Sequence, residues 1–540
     1  MSKQIARVVE TIEGEYIGGD ELDDDRDFGS GDESYAQRQK PKSTATVLVN
    51  MALDRYEFGV SKTGETFAIP REGDPVVSLL KGSKTAIRSI LSREYFREHR
   101  KAASQQALGD AMAVIEGFAQ ETDERELHLR VAENSEGLWL DVGDLTGQAV
   151  LIARAGWKVI DRPPMLFKRT VLNGSLPVPD DEGDLDTLWT LLNVTEGDRP
   201  ILLAALVAML FPSIPHPVIT FLGEAGTGKT TGQKIIVSVV DPGPVPVRKP
   251  PRDPDSWVTA AAGSWVVALD NVSEVRPWLS DSICRAVTGD GDVRRKLYTD
   301  GDHAIFAFRR CICLNGIDLG ATRGDLGERM LPIVLERIPD SKRLTEDEIW
   351  PTWKRSHARI LGGLLDLAVR VLESLPSVEL ESKPRMADFA RILRAVDIVL
   401  GTDGLANYVA KQSSLAADAL AGDPFSATLA SMTEPFVGTS ADLLAKFTKD
   451  KPPRDWPKNA RTVTTLVRRA APSLIKLGYT VDDDGARNHD GVLRWTLSPP
   501  ERARNNPPQP PQARTGGDAR GDAGMGGVEY RTSRVAGAEL

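Results

Sequence analysis

The strongest chemical signal in the chain is a glycine-rich octapeptide, Gly223-Glu224-Ala225-Gly226-Thr227-Gly228-Lys229-Thr230. Its pattern, G-x-x-x-x-G-K-[ST], lets the backbone curl so that successive N–H groups, with the N-terminus of a following helix, point at phosphate oxygens. The lysine of such a loop reaches the β- and γ-phosphates, and the adjoining hydroxyl ligates Mg²⁺. ATP and Mg²⁺ are therefore the expected ligands. Lys229 and Thr230 are the chemically active contacts, and Thr231 is a further nucleotide-binding candidate beside them.

Three more polar residues stand at the ends of apolar runs. Asp270 follows Trp265-Val266-Val267-Ala268-Leu269, which is what delivery of a carboxylate to Mg²⁺ from a buried strand requires. Asn315 follows Cys311-Ile312-Cys313-Leu314; a side-chain amide there can orient the attacking water. Arg329, taken in preference to Arg323, precedes the apolar run Leu331–Leu335 and is placed to reach a neighbouring subunit's γ-phosphate. Asp141 and Asp144 also sit beside strand-like runs. They have no third acid in a convincing arrangement, so they are read as turn residues.

The elements that must position these groups follow from periodicity. Val218–Leu222 is a β-branched, apolar run that stops at Gly223, so it reads as a buried strand leading into the loop, with a helix after it. Between Asp270 and Asn315, two β-prone runs flank Asp300-Gly301, a hairpin signal. Arg294, Arg295 and Lys296 make one flank of that hairpin basic, and His303 lies just past the turn.

Taken in order, the loop, Asp270, the hairpin, Asn315 and the late arginine resemble superfamily 3 helicases. More closely, the region from about 180 to 340 is similar to the helicase half of phage and plasmid primase-helicases, a branch of the AAA+ P-loop ATPases. The resemblance implies an α/β core and a ring, usually a hexamer, with ATP bound between subunits. It also implies a hairpin that grips single-stranded DNA in the channel. Carried over by position, Lys229 and Thr230 hold phosphate and Mg²⁺, Asp270 is the Walker B acid, Asn315 is sensor 1 and Arg329 is the trans finger. The chain departs from the family pattern in two places: Asn271 stands where a second acid is usual, and the hairpin tip carries Asp300 and Asp302. The alternative function is therefore a nucleotide-gated DNA-binding or assembly protein that hydrolyses ATP weakly. No primer-synthesis site is visible, so a separate primase or polymerase is an expected partner.

Length and composition set the rest. At 540 residues the chain holds several domains. A formal net charge of −10 makes any nucleic-acid surface a local feature. Three cysteines, and no apolar run long enough to span a bilayer, suggest a soluble, cytoplasmic protein without membrane attachment. The expected divisions are an acidic disordered arm (1–43) and an α+β domain (44–180) that opens with paired strands from Thr44 and turns helical over Val76–Ala119. Then come the ATPase (181–340), a helical region (341–425), a winged-helix-like unit (426–497) and a disordered Pro/Gly/Arg-rich tail (498–540). In the winged-helix-like unit, Arg461, Arg468 and Arg469 lie on the polar side of an amphipathic helix and are the expected duplex-DNA contacts.

Overall fold

The structure is a computed structural model. It describes residues 42–81, 86–290, 292–295, 303–306, 308–316, 324–485 and 493–500; of 292–295 and 303–306 it describes the backbone alone.

The first described element corrects an expectation. Thr44–Arg55 is a helix, α1, and not a strand. Its Val and Thr content favours a strand, but Leu48, Met51 and Ala52 fall on one helical face and are buried, and Ser43 caps the start by accepting from Thr46 N at 3.1 Å. Tertiary burial outweighs a propensity that is only tenths of a kcal/mol per residue. The paired strands come next, β1 (Tyr56–Ser61) and β2 (Thr66–Pro70), antiparallel around the Lys62–Glu65 tip. The stretch after Val76 also differs from expectation: Ser78–Leu79 is a short strand, β3, and helix begins only with α2 (Ile87–His99) and α3 (Gln105–Gln120). With β4 (Glu124–Arg125), these strands form a sheet ordered β3-β2-β1-β4.

Two short strands, β5 (Leu127–His128) and β10 (Leu166–Phe167), pair in parallel. Between them in the chain runs an antiparallel meander, β6 (Val131–Asn134), β7 (Gly137–Asp141), β8 (Ala149–Ala153) and β9 (Gly156–Ile160), whose first turn is the Asn134–Gly137 hairpin. The meander buries Val131, Leu140 and Ile152 in the same apolar core as Leu203, Ile235, Leu331 and Leu364, so the main core crosses position 180. An ion pair reinforces the join: Arg130, fully buried, donates from Nε to Asp241 Oδ1 at 2.9 Å. Asp241 Oδ2 accepts from the amides of Trp265 and Val266.

After α4 (Leu188–Leu191) and α5 (Arg199–Ala208), which is apolar and buried from Pro200 onward, comes the central sheet. Its strands are β11 (Val218–Leu222), β12 (Val247–Arg248), β13 (Val266–Leu269), β16 (Cys311–Asn315) and β17 (Met330–Val334), all parallel in the order β12-β13-β16-β11-β17. The intervening helices are α6 (Lys229–Val240), α7 (Pro254–Ala262), α8 (Pro277–Thr288) and the short α9 (Gly324–Gly327). The expected hairpin forms from β14 (Asp292–Arg295) and β15 (His303–Phe306), with Arg295 opposite His303.

Helices α10 (Glu346–Ser374), α11 (Ala387–Leu400) and α12 (Gly404–Ala421) cover the core. Gly362 in α10 is required by close approach, because a methyl there would run into the carbonyl of Asp180. In α12, Lys411 pairs with the buried Asp198, and Gln412 donates to Met330 O at 2.5 Å, so this helix is tied to the start of β17. The C-terminal unit contains α13 (Pro424–Ala430), β18 (Phe436–Thr439), α14 (Ser440–Phe447), α15 (Ala460–Lys476), β19 (Thr480–Asp483) and β20 (Arg494–Ser498), with its sheet ordered β18-β20-β19.

Candidate nucleotide-binding site

The parallel sheet brings the ends of β11, β13 and β16 side by side, so residues far apart in sequence meet at one edge. At the end of β11, Gly223, Gly226 and Gly228 have φ values of 150°, 83° and 80°, which the loop needs and which a Cβ would strain. A Cβ on Gly223 would also sit 2.7 Å from Thr227 Oγ1 and 2.9 Å from Leu335 O. The loop feeds straight into α6, whose first residue is Lys229, so the free amides at the helix start face the same space. Lys229 Nζ donates to the carbonyls of Gly223 and Glu224, each at 2.7 Å, and is thereby held over the loop.

Asp270 is placed one residue past β13. Its Oδ1 accepts from Thr230 Oγ1 at 2.9 Å and from Asn315 Nδ2 at 2.6 Å. Among the described residues no hydrogen bond ends on Oδ2, which leaves that oxygen for a cation. A hydroxyl, a carboxylate oxygen with a free partner oxygen, and a lysine over a glycine cradle form a donor set that fits Mg²⁺ and a nucleoside triphosphate.

Asn315 is 2% exposed and fully engaged. Nδ2 donates to Asp270 and to Gln233 Oε1 at 2.7 Å, while Oδ1 accepts from the Asn271 amide at 2.6 Å. Within this chain its amide therefore holds the Asp270 carboxylate and gives no proton to solvent. Gln233, buried in α6, in turn donates to Leu269 O at 3.2 Å and to Cys313 Sγ at 3.5 Å. Nothing in the sequence singles out Gln233, since a glutamine in mid-helix looks like any solvated one. Burial pushes the Cys313 thiol up to about 12, so it stays protonated beside this amide. Asn271 adopts a left-handed φ of 54°, which asparagine tolerates, and its residue is exposed.

A second residue missed by sequence reading is Arg343. Its Nη2 lies 3.3 Å from where a Cβ on Gly226 would be, so this exposed guanidinium, paired loosely with Asp340 at 3.4 Å, stands beside the phosphate loop of its own chain.

Other expected residues lie elsewhere. Arg329 is 7% exposed, and its Nη1 meets Asp325 Oδ1 at 2.5 Å and Asp325 O at 2.8 Å; to reach another subunit it would have to leave this pair. Arg323 and Lys296 are outside the described residues, and of Arg294, Arg295 and His303 only the strand backbone is described. Arg461, Arg468 and Arg469 are exposed along α15, opposite its buried Val463, Val467, Ala470 and Leu474. Asp141 is buried against Arg169, and burial raises its carboxyl pKa. Asp144 bonds Thr146 in its own turn.

Comparison with known proteins places this site in context. Residues 185–418 match the family described as actinomycete integrative conjugative element replication protein, and residues 425–511 match the C-terminal domain of that protein. No curated protein matches. Among solved structures, the chain is similar to the active helicase Cch of SCCmec type IV, at 11% identity and a TM-score of 0.40 over 82% of this chain and 93% of that one. It is also similar to the apo NrS-1 C-terminal region, at 12% identity and a TM-score of 0.34 over 85% of this chain and all of that one. The all-parallel central sheet, the phosphate loop between β11 and α6, and the two matches in sequence order give the conclusion that this chain has a P-loop α/β core and carries, in order, regions similar to an integrative conjugative element replication protein and to its C-terminal domain.

Proposed function

We propose that this protein is an ATP-driven, ring-forming DNA helicase of the superfamily 3 type that serves replication of an integrated mobile element. The observation that supports the reading is the Thr230–Asp270–Asn315 cluster at the start of the helix after the phosphate loop, in which Asp270 Oδ1 accepts both bonds and Oδ2 accepts none among the described residues. ATP is the substrate. Loop amides and the start of α6 receive its phosphates, and Lys229 exchanges its two carbonyl partners for the β- and γ-phosphates. Thr230 and Asp270 hold Mg²⁺, which when bound neutralises charge developing on the transferred phosphoryl group. Asn315 keeps Asp270 in place.

Arg329 is the proposed trans arginine of a hexamer, a role typically worth about 10³–10⁵ in turnover. Arg294, Arg295, Lys296 and His303 of the hairpin are proposed to contact single-stranded DNA in the channel. Arg461, Arg468 and Arg469 on α15 are proposed to contact duplex phosphates, which position a protein more than they specify sequence. Among the described residues no helix is long and apolar enough to cross a membrane, and the proposed location is the cytoplasm with a separate primase or polymerase as partner.

Asn271 favours a second reading, a nucleotide-gated DNA-binding protein with weak hydrolysis, because an asparagine occupies the position next to Asp270 from which a base would act. DNA-stimulated ATP turnover and strand displacement, measured for wild type and Lys229→Ala, separate the two. The helicase reading expects both activities in wild type and neither in the variant, at an unchanged thermal midpoint. ATP binding without turnover supports the second reading, and absence of ATP binding overturns both.

A further inference from the structure

Helix α2 carries a face that the nucleotide site does not use. Its inward stripe is Ile87, Leu91 and Tyr95, buried with residues of α1 and α3. At about 100° per residue, Arg93, Phe96 and Arg97 fall on the opposite side. The chain then runs on through Arg100 and Lys101, and all five residues are exposed. Phe96 leaves half its surface (50%) in solvent, at the edge of the side of the helix that carries Arg93 and Arg97. Arg100 ends the helix at φ 55°, where glycine is the relaxed residue.

The charges on this helix are sorted. Its acids, Glu94 and Glu98, turn to Arg55 at 3.1 and 2.5 Å, and Glu94 also accepts from the Tyr56 hydroxyl at 2.9 Å. Among the described residues no hydrogen bond from a side chain and no ion pair engages Arg93, Arg97, Arg100 or Lys101. The result is four exposed cations with no ion pair among the described residues, two on the side of the helix that carries Phe96 and two just past its end, on a chain whose net charge is −10. Cations in a last helical turn also complement the helix dipole. That accounts for the charge but not for a phenylalanine held in water on the side that carries Arg93 and Arg97.

We propose that this face of α2 binds single-stranded nucleic acid, with its cations on successive phosphates and a base stacked on Phe96. Arg93 and Arg97 lie one turn apart, about 6 Å along the axis, so they can follow a backbone. Stacking on a ring tolerates any base, so the site is not sequence-specific. It needs no bound nucleotide and is independent of the phosphate loop.

The test uses the full chain without ATP and fluorescent dT and rU oligonucleotides, the two arms distinguishing DNA from RNA, with affinity read by anisotropy across a salt series. Replacing Arg93, Arg97 and Lys101 together by Gln should weaken binding and make the salt dependence shallower by about 0.7 for each phosphate no longer neutralised, about 2 in all. Phe96→Ala should weaken binding about 5-fold or more and leave the salt slope unchanged, because stacking releases no counterions. An iodouracil oligonucleotide should photocrosslink to the peptide containing Phe96, in wild type and in Lys229→Ala alike. Circular dichroism melts confirm that the surface variants fold. An unchanged affinity and slope in the triple variant, or no crosslink in that peptide, overturns the proposal. Altered oligomer size at unaltered affinity also overturns it, since the face would then belong to a neighbouring copy.

Discussion

Gln233→Leu tests the geometry of the site without touching the phosphate loop. Leucine has nearly the same volume, so the change opens little cavity, but it removes the acceptor for one Asn315 Nδ2 proton and the donors to Leu269 O and Cys313 Sγ. Asn315 is almost completely buried, so that proton goes unpaired or the amide rotates to find another partner. An orphaned buried polar group costs about 1–3 kcal/mol. Rotation avoids the cost only by giving up the 2.6 Å bond to Asp270. Either way the carboxylate loses definition by a comparable amount, and at about 1.4 kcal/mol per tenfold the expected fall in ATP turnover is roughly 5- to 100-fold. ATP affinity should stay at the wild-type value, because the Gln233 side chain bonds to no loop residue. The assay is steady-state turnover beside an equilibrium nucleotide titration. Combined with Asn315→Ala, the Gln233 change should add nothing further, since both act through one hydrogen bond to Asp270. Wild-type turnover in Gln233→Leu, or additive losses in the pair, refutes the positioning role.

Three further outcomes are expected. Arg343→Ala should weaken ATP binding in a monomeric, dilute sample, read by nucleotide titration, because the guanidinium beside Gly226 belongs to the same chain; an effect seen only on oligomerisation would count against it. Asp241→Ala should lower unfolding free energy by about 3–5 kcal/mol in denaturant melts, since it strands the buried Arg130 charge and two backbone amides at the start of β13; Arg130→Met with Asp241→Ala should recover part of that loss. Burial holds the His216 imidazole down to about 3, assisted by Arg309, and that of His357 down to about 4. The unfolded chain thus binds more protons than the folded one between about pH 6.5 and these values. Their contribution is complete above pH 6.5 and is lost as pH falls, by about 2 kcal/mol each at pH 5. His216→Phe should flatten the acid side of a stability–pH profile.

Much of the architecture was legible because its signals are local. A phosphate loop must be contiguous to wrap one anion, so Gly223–Thr230 announces itself, and an apolar run ending in a polar residue marks where β13 and β16 deliver Asp270 and Asn315. A hairpin between β13 and β16 was legible from Asp300-Gly301 and its β-prone flanks, but its register, Arg295 opposite His303, was not. Thr44–Arg55 was misread because strand propensity and helical burial conflict there, and only packing of Leu48, Met51 and Ala52 decides between them.

By itself, then, the sequence determined which residue types are available for phosphate and metal, and the order of the strands along the chain. Tertiary structure alone decided who holds whom. Gln233 supports Asn315 across 82 positions of sequence, and Arg130 joins the meander to Asp241 across 111. Arg329 lies buried on Asp325, and Arg343 arrives beside Gly226. Such pairings depend on how the parallel sheet stacks its strand ends and on which helix covers them, and hydrophobic periodicity carries no record of either.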